Sequence, residues 1–393
     1  MKIAILSTSL TQGGAAIVTE RLARALEALG HEVKTFTLPG KREHKASFLA
    51  ERLEVFACNG LNRKDLFKAS TGSFGMKAPV DAVIDWRPDI AVLTWVNHGF
   101  MSLRQVHRLG SEGIPMVWVM HDMWNMTGIC HYSMNCMRFI LECGRCQLIR
   151  KRLQRPGDLS HRVWLRKEEL YNQTPGITFV AVSRWLAEMA EKSSLLRHRD
   201  YRVIPNVFPL EKYTTGPKEK GLIILGAARL DNPIKGLDLA IDALNRLDPE
   251  SGAHVAFFGD LRDPHAFDNL RLPYEYLGPL NPDEVAALCA RAEVMLSTAR
   301  YENLPTTLIE GQAAGCVPVS FLRGGQADII DHGETGWLSP FDDTADIARG
   351  LQWALNANIP ADKLRRSVEE KFSAATVGKA YEQLFLEILA KNH

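Results

Sequence analysis

Residues 297–319 read STARYENLPTTLIEGQAAGCVPV. An apolar run, Val294 to Leu296, comes just before, and a second, Val317 to Val319, closes the stretch. Asn303, Leu304 and Pro305 interrupt the first run. A helix-like segment follows to Ala314, and Gly315 stops it. Pro fits the first turn of a helix, and Gly fits the position just past the last turn. The order is strand, loop, helix, strand, the repeating unit of an α/β sheet. Glu302 falls on the loop at the carboxyl end of a strand, where open α/β sheets bind ligands. The first helical turn, at Thr306 and Thr307, offers unpaired N–H groups and a positive dipole end, which suit a phosphate. Glu310 lies about two turns further on and can accept hydrogen bonds from sugar hydroxyls.

A second constellation lies upstream. Leu222 to Ala227 reads as a buried strand, and Leu237 to Leu244 as the start of a helix. Arg229 and Lys235 flank the loop between them, and Gly236 follows. Two cations on such a loop can neutralise a diphosphate through charge-assisted hydrogen bonds. The plainer reading is a solvated surface pair.

Taken in order, Arg229-x5-Lys235-Gly236, Glu302-x7-Glu310, Gly315 and Pro318 resemble the signature of the family-4 retaining glycosyltransferases. The resemblance covers most of the chain and is strongest over residues 222–340. It implies an α/β chain of the GT-B architecture, two doubly wound Rossmann-like domains facing across a cleft. Residues 1–207 would form the acceptor-side domain, with helix 376–393 packing back on it, and residues 208–375 the nucleotide-sugar domain. The implied reaction moves a sugar from a UDP- or GDP-sugar to a hydroxyl with retained configuration, and it requires no cofactor for catalysis. Arg229, Lys235 and the backbone near Thr306 and Thr307 would stabilise the leaving diphosphate. Glu310 would hold the ribose, and Glu302, Asn303 and Leu304 would orient the transferred sugar. Asn-Leu-Pro after Glu302 departs from the family's frequent Gly-Phe-Gly, and Gly311 stands where Ala is usual. The donor sugar stays open for that reason.

The first half begins with a strand at Lys2 to Ser7, a turn at Thr11 to Gly14, and apolar residues at helical spacing from Ile17 to Leu29. The glycine turn lacks the G-x-G-x-x-G order, so a nicotinamide cofactor is not indicated. The resemblance places Gly13 and Gly14 against the donor phosphates and the acceptor. Met116 to Met120 is a strand that ends in His121 and Asp122. That pair reads either as a turn or cap or as chemistry at a strand tip. The resemblance puts His121 beside the donor sugar.

Cys130, Cys136, Cys143 and Cys146 could enclose a structural zinc, with His131 as a substitute ligand; free thiols or a redox pair are the alternatives. Arg145 to Lys167 is basic with interleaved apolar residues, which suits either a solvated helix face or peripheral contact with an anionic membrane. The net charge of +1 gives no pull toward nucleic acid. The opening MKIAILSTSL reads as a buried strand rather than a signal peptide, and seven cysteines without a signal favour a cytoplasmic setting, peripheral at the inner face of the membrane in the second of those readings. Glycan or lipid-linked acceptors, in polysaccharide or glycoconjugate assembly, follow from the resemblance. The competing functions are a non-catalytic nucleotide-sugar binder and another GT-B enzyme such as an epimerase.

Overall fold

The structure, a computed structural model, describes residues 1–9, 14–38, 41–60 and 68–391, with residues 41–43 by backbone alone. Chain contacts divide it into two compact units, Met1–Val207 with Val377–His393, and Phe208–Thr376.

The first unit runs β1 (Lys2–Leu6), α1 (Gly14–Ala28), β2 (Glu32–Phe36), α2 (Lys41–Cys58), α3 (Lys77–Trp86), β3 (Ile90–Leu93), α4 (Leu103–Ser111), β4 (Met116–Met120), α5 (Leu159–Gln173), β5 (Ile177–Ala181), α6 (Arg184–Lys192) and β6 (Tyr201–Val203). The strands lie in the order β2-β1-β3-β4-β5-β6, all parallel. Strands β3, β4 and β5 are buried at every residue. This is why IAVL, MVWVM and ITFVA are continuous apolar runs and do not alternate.

The second unit runs β7 (Leu222–Arg229), α7 (Leu237–Leu244), β8 (His254–Asp260), β9 (Tyr274–Tyr276), α8 (Pro282–Arg291), β10 (Val294–Ser297), α9 (Thr306–Ala313), β11 (Val317–Phe321), α10 (Gln326–Ile329), β12 (Trp337–Ser339), α11 (Thr344–Asn356) and α12 (Ala361–Phe372). Its parallel sheet has the order β12-β11-β10-β7-β8-β9. From β7 the chain winds outward through β8 and β9. It then returns to the other side of β7 for β10, β11 and β12. The β7/β10 boundary is therefore a topological switch point, and the loops leaving these two strands diverge there. They are the loops that carry Lys235 and Glu302.

The last helix, α13 (Ala374–Lys391), belongs from Val377 onward to the first unit. Tyr381, Leu384, Phe385 and Ile388 are buried, and Glu382 meets His31 Nε2 at 3.1 Å.

The basic stretch is not one helix. Residues 145–158 are irregular, broken at Pro156 and Gly157, and α5 starts only after Asp158, whose carboxylate caps Ser160 N and His161 N. Lys167 is fully buried, on the same inward stripe as Val163, Trp164, Leu170 and Tyr171. No helix among the described residues is long and apolar enough to cross a membrane.

Candidate active site

The loop after β7 is shaped by its own side chains. Asn232 caps the turn by accepting Ile234 N at 3.2 Å, and Lys235 N donates to Asn232 O at 2.7 Å. Gly236 then adopts φ +68°, and a Cβ there would lie 2.1 Å from Thr298 O, so only glycine fits. Thr298 Oγ1 donates to Gly236 O at 2.8 Å. Arg300 fastens the same loop from the β10 side. Its N–H donates to Ile234 O (2.7 Å) and its guanidinium to Pro233 O (2.8 Å), and it grips Asp238 through two bonds of 2.9 and 2.6 Å. Hydrogen bonding to Arg300 holds the Asp238 carboxyl below its ordinary range.

This docking brings Lys235 Nζ into an ion pair with Glu302 Oε1. Arg229 Nε lies 3.2 Å from Asp231 Oδ1 at the other end of the loop. Glu302 is fixed through its backbone. Its carbonyl accepts Gly325 N at 3.3 Å, and a Cβ on Gly324 would stand 1.8 Å from that oxygen. The preceding Arg323 lies over the rings of Tyr301 (5.1 Å) and Phe341 (4.5 Å) and donates to the Tyr301 hydroxyl.

Asn303 and Leu304 are buried, and Pro305 stands at the cap position of α9 with no side-chain cap bond. The helix therefore opens with its first-turn amides, at Thr306 and Thr307, uncapped by any side chain, an arrangement suited to an anion. Glu310 is half-buried on the same helix. Gly311 has a packing reason. A Cβ there would meet Met295 Cβ at 2.7 Å, where α9 crosses β10.

A cavity of about 620 Å³ opens beside Leu230–Pro233. Asp231, Asp238, Asp242 and Asp263 line it, against one cation, Arg300. That lining does not favour a diphosphate.

In the first unit His121 follows β4. Its Nε2 is buried, and desolvation draws the imidazole down to about 4 against the opposing pull of Asp122. It is neutral near pH 7. Asp122 accepts three donors: Trp124 N (2.8 Å), His131 Nδ1 (2.7 Å) and Trp95 Nε1 (3.3 Å). Burial pushes its carboxyl up, but His131 and the other donors outweigh burial and hold it below the usual range. Asp122 is thus a fixed anion. Gly14 opens α1; Gly13 lies outside the described residues.

The zinc expectation for Cys130, Cys136, Cys143 and Cys146 finds no support in the structure. All four are free thiols, and among the described residues no three His, Cys, Asp or Glu side chains are placed to hold a metal ion. Gly128 N donates to Cys143 Sγ at 3.1 Å. Burial pushes the Cys130, Cys143 and Cys146 thiols up to about 12. His131, the substitute ligand, turns its two ring nitrogens to Asp122 and Ser70.

Of the residues singled out in the sequence, Lys235 and Glu302 touch, Arg229 shares the Lys235 loop, and Thr306, Thr307 and Glu310 share α9. Arg300, Asp231, Arg323 and Gly324 are missed by sequence reasoning. Arg300 stands two places before Glu302, and its partner Asp238 is acidic in the first turn of α7; that complementary pair was the available signal.

Known proteins resemble this chain in both sequence and fold. The profile described as Glycosyltransferase Family 4 matches residues 12–212, and that described as Glycosyl transferases group 1 matches residues 209–371. The N-acetyl-alpha-D-glucosaminyl L-malate synthase of Bacillus anthracis is 26% identical over 188 residues, 46% of this chain and 48% of that protein. An exopolysaccharide phosphotransferase of Streptomyces coelicolor is 30% identical over 245 residues, 57% of this chain and 25% of that protein. The chain thus spans about half the length, or less, of these relatives. The crystal structure of Anabaena HepE in complex with UDP superposes with a TM-score of 0.62 at 16% identity, covering 98% of this chain and 100% of that one. At that identity the likeness is one of fold, and the two doubly wound parallel sheets are what it shares.

Proposed function

Because this chain belongs to glycosyltransferase family 4, we propose that it moves a sugar from a nucleoside diphosphate donor to an acceptor hydroxyl with retention of the anomeric configuration. The observation that carries the reading is the meeting of Lys235 and Glu302 at the β7/β10 switch point, with Arg229 on the Lys235 loop and the uncapped turn of α9 next in the chain.

The bond from the anomeric carbon to the phosphate oxygen breaks, and negative charge grows on the departing diphosphate. Arg229, Lys235 and the Thr306 and Thr307 amides are fixed donors for that charge. Loss of one such donor typically costs about 2.7–4 kcal/mol in the barrier. Glu310 holds the ribose hydroxyls. Glu302 and the Asn303–Leu304 backbone orient the sugar, and the resemblance assigns His121 to contact with the donor sugar. The new bond forms on the face the phosphate leaves, and the departing phosphate oxygen takes the acceptor's proton. The bound UDP of the HepE structure makes uridine the first nucleotide to try. The exopolysaccharide relative supports a role in polysaccharide or glycoconjugate assembly.

Exposed Met137 and Leu141 stand in sequence beside exposed Arg138, Arg145 and Lys151. That mixture favours peripheral contact with an anionic lipid surface, and with it a lipid-linked acceptor. Co-sedimentation with anionic vesicles, reduced by Leu141→Asp, is the expected result.

The central test is a thermal-shift screen of wild type and Glu310→Ala against UDP, GDP, ADP and their sugars. At a hundred times its dissociation constant a ligand stabilises by about 2.7 kcal/mol. The reading requires a shift with one nucleoside diphosphate that the variant weakens. A shift without turnover on any acceptor would favour a non-catalytic binder. Isomerisation of the donor sugar would favour an epimerase, and no shift at all would overturn the reading.

A further inference from the structure

Four residues close a ring of hydrogen bonds next to His121. Asp122 Oδ1 accepts Trp124 N (2.8 Å), and Trp124 Nε1 donates to Ser70 O (2.8 Å). Ser70 Oγ meets His131 Nε2 (2.9 Å), and His131 Nδ1 returns to Asp122 Oδ2 (2.7 Å). Ser70, Trp124 and His131 are buried. Asp122 is an anion, so His131 Nδ1 carries a proton toward it, and Nε2 shares a hydrogen bond with the Ser70 hydroxyl. Backbone bonds reinforce the ring: Met123 N to His131 O (2.9 Å), His131 N to Lys68 O (3.1 Å) and Ser70 N to Ile129 O (2.8 Å). Trp95 Nε1, from the segment after β3, reaches the same Asp122 oxygen as His131.

The ring joins Ser70 to the distant segment 122–131, and Asp122 is its carboxylate corner. Asp122 also directly follows His121. With three donors on two oxygens it has no role as a base. Its bond to Trp124 N shapes the turn that directly follows His121. None of the four residues needs substrate to be satisfied.

We propose that His131 and Ser70 are positioning residues for the transfer reaction: they clamp Asp122, and through it hold the β4 tip that presents His121 to the substrate. The proposal rests on the reading of His121 as a substrate contact. A polar network of this kind is satisfied as a unit, so removing one member loosens the others. His131 cannot be exchanged for an apolar residue of similar size, because Asp122 would be left buried with a bond missing.

The experiment uses the full chain and four variants: His121→Ala, His131→Ala, His131→Asn and Ser70→Ala. Nucleoside diphosphate release is followed from the nucleotide sugar that gives the largest thermal shift, and UDP-glucose is the first tried. Imidazole ¹⁵N spectra supply a second readout that needs no turnover. His131→Ala is expected to lower kcat 10- to 100-fold with donor KM within about twofold, and to move the ring-nitrogen resonances of His121 while sparing those of exposed His265. His131→Asn, whose amide N–H replaces the Nδ1 donor, should recover most of the rate and of the spectrum. Ser70→Ala should show a smaller loss in the same direction. If His121→Ala loses activity while His131→Ala keeps wild-type kcat and an unmoved His121 spectrum, the positioning role falls and the reading of His121 stands. If His121→Ala turns over like wild type, that reading fails and the proposal with it. If His131→Ala does not fold, His131→Asn and Ser70→Ala decide. In that case a wild-type kcat and an unmoved His121 spectrum in Ser70→Ala, or a His131→Asn that loses activity as fully as His121→Ala, overturns the role.

Discussion

Lys235 Nζ and Glu302 Oε1 form an ion pair that bridges the loops leaving β7 and β10. Both side chains keep about a fifth to a third of their surface exposed, at 20% for Glu302 and 32% for Lys235. Each is therefore the other's counter-ion until a ligand arrives. On the proposed reading, a diphosphate would draw Lys235 away from Glu302 or share it.

The two partners should fail in different ways. Lys235→Ala is expected to lower kcat/KM by 10²- to 10³-fold, the usual effect of removing one fixed donor to a developing anion. Glu302→Gln removes the competing carboxylate. It should tighten nucleoside diphosphate binding two- to fivefold, in keeping with about 0.2–1 kcal/mol for a partly exposed pair, while kcat falls. Calorimetry with UDP and steady-state rates on both variants check the split.

Gly236→Ala tests the loop itself. At φ +68°, with Thr298 O 2.1 Å from the new Cβ, the variant should lose roughly 1–3 kcal/mol from left-handed strain alone. Displacement of Lys235 should weaken the nucleotide thermal shift more than Glu310→Ala does. Urea unfolding and the shift assay measure the two effects separately.

Lys167 is the buried counterpart of these exposed cations. Its ammonium donates to Trp124 O, and to Thr127 O and Gly128 O at 3.0 Å each, and lies 3.5 Å from the Trp124 ring centroid. Lys167→Met keeps the stem but leaves three buried carbonyls without that donor. Trp124 O keeps Thr127 N as a donor, so the expected loss is about 2 kcal/mol or more, from a desolvation penalty of about 1–3 kcal/mol for each of the other two carbonyls. The midpoint of denaturant unfolding gives the value.

Acid should destabilise the fold through two histidines. Burial, with Arg52 and His131 adding to it, draws His98 from 6.5 to about 3, and burial draws His121 from 6.5 to about 4. Above pH 6.5 neither the folded nor the unfolded chain holds these protons, and stability is full. As pH falls from 6.5 toward 4, the unfolded chain takes up protons that the fold refuses. Each group then subtracts up to about 1.4 kcal/mol per pH unit. Melting temperature should drop across that window, and His98→Asn should flatten the drop.

The sheets were legible in the sequence because parallel strands buried on both faces are continuous apolar runs. Ile90 to Leu93, Met116 to Met120 and Val317 to Phe321 all have this form. Arg229, Lys235, Glu302 and Glu310 were legible because each sits at a fixed offset from a strand end or helix start. What escaped depends on pairs distant in the chain. Arg300 meets Asp238, His131 meets Ser70, and Gly324 meets Glu302 O only after the loops fold over one another. Lys167 looked like one more cation in a basic run, although its spacing from Val163, Trp164, Leu170 and Tyr171 marks the inner face of α5. Spacing alone does not tell whether Cys130, Cys136, Cys143 and Cys146 form a metal cage or a set of free thiols.

The return of α13 to the first unit has a consequence for biosynthesis. Residues 377–391 leave the ribosome after every residue of the second unit has been made. Yet Tyr381 lines a cavity with Val18 and Leu22, and Gly378 sits against Leu29 and Ala25 of the opening α1 region. The usual vectorial order, in which the first domain made is the first to fold, is therefore reversed at its last step. The half synthesised first stays unfinished, with an apolar seam open along α1, until the other half is complete. A nascent chain stalled before Val377 should bind a holdase chaperone through that seam, and one released after Lys391 should not.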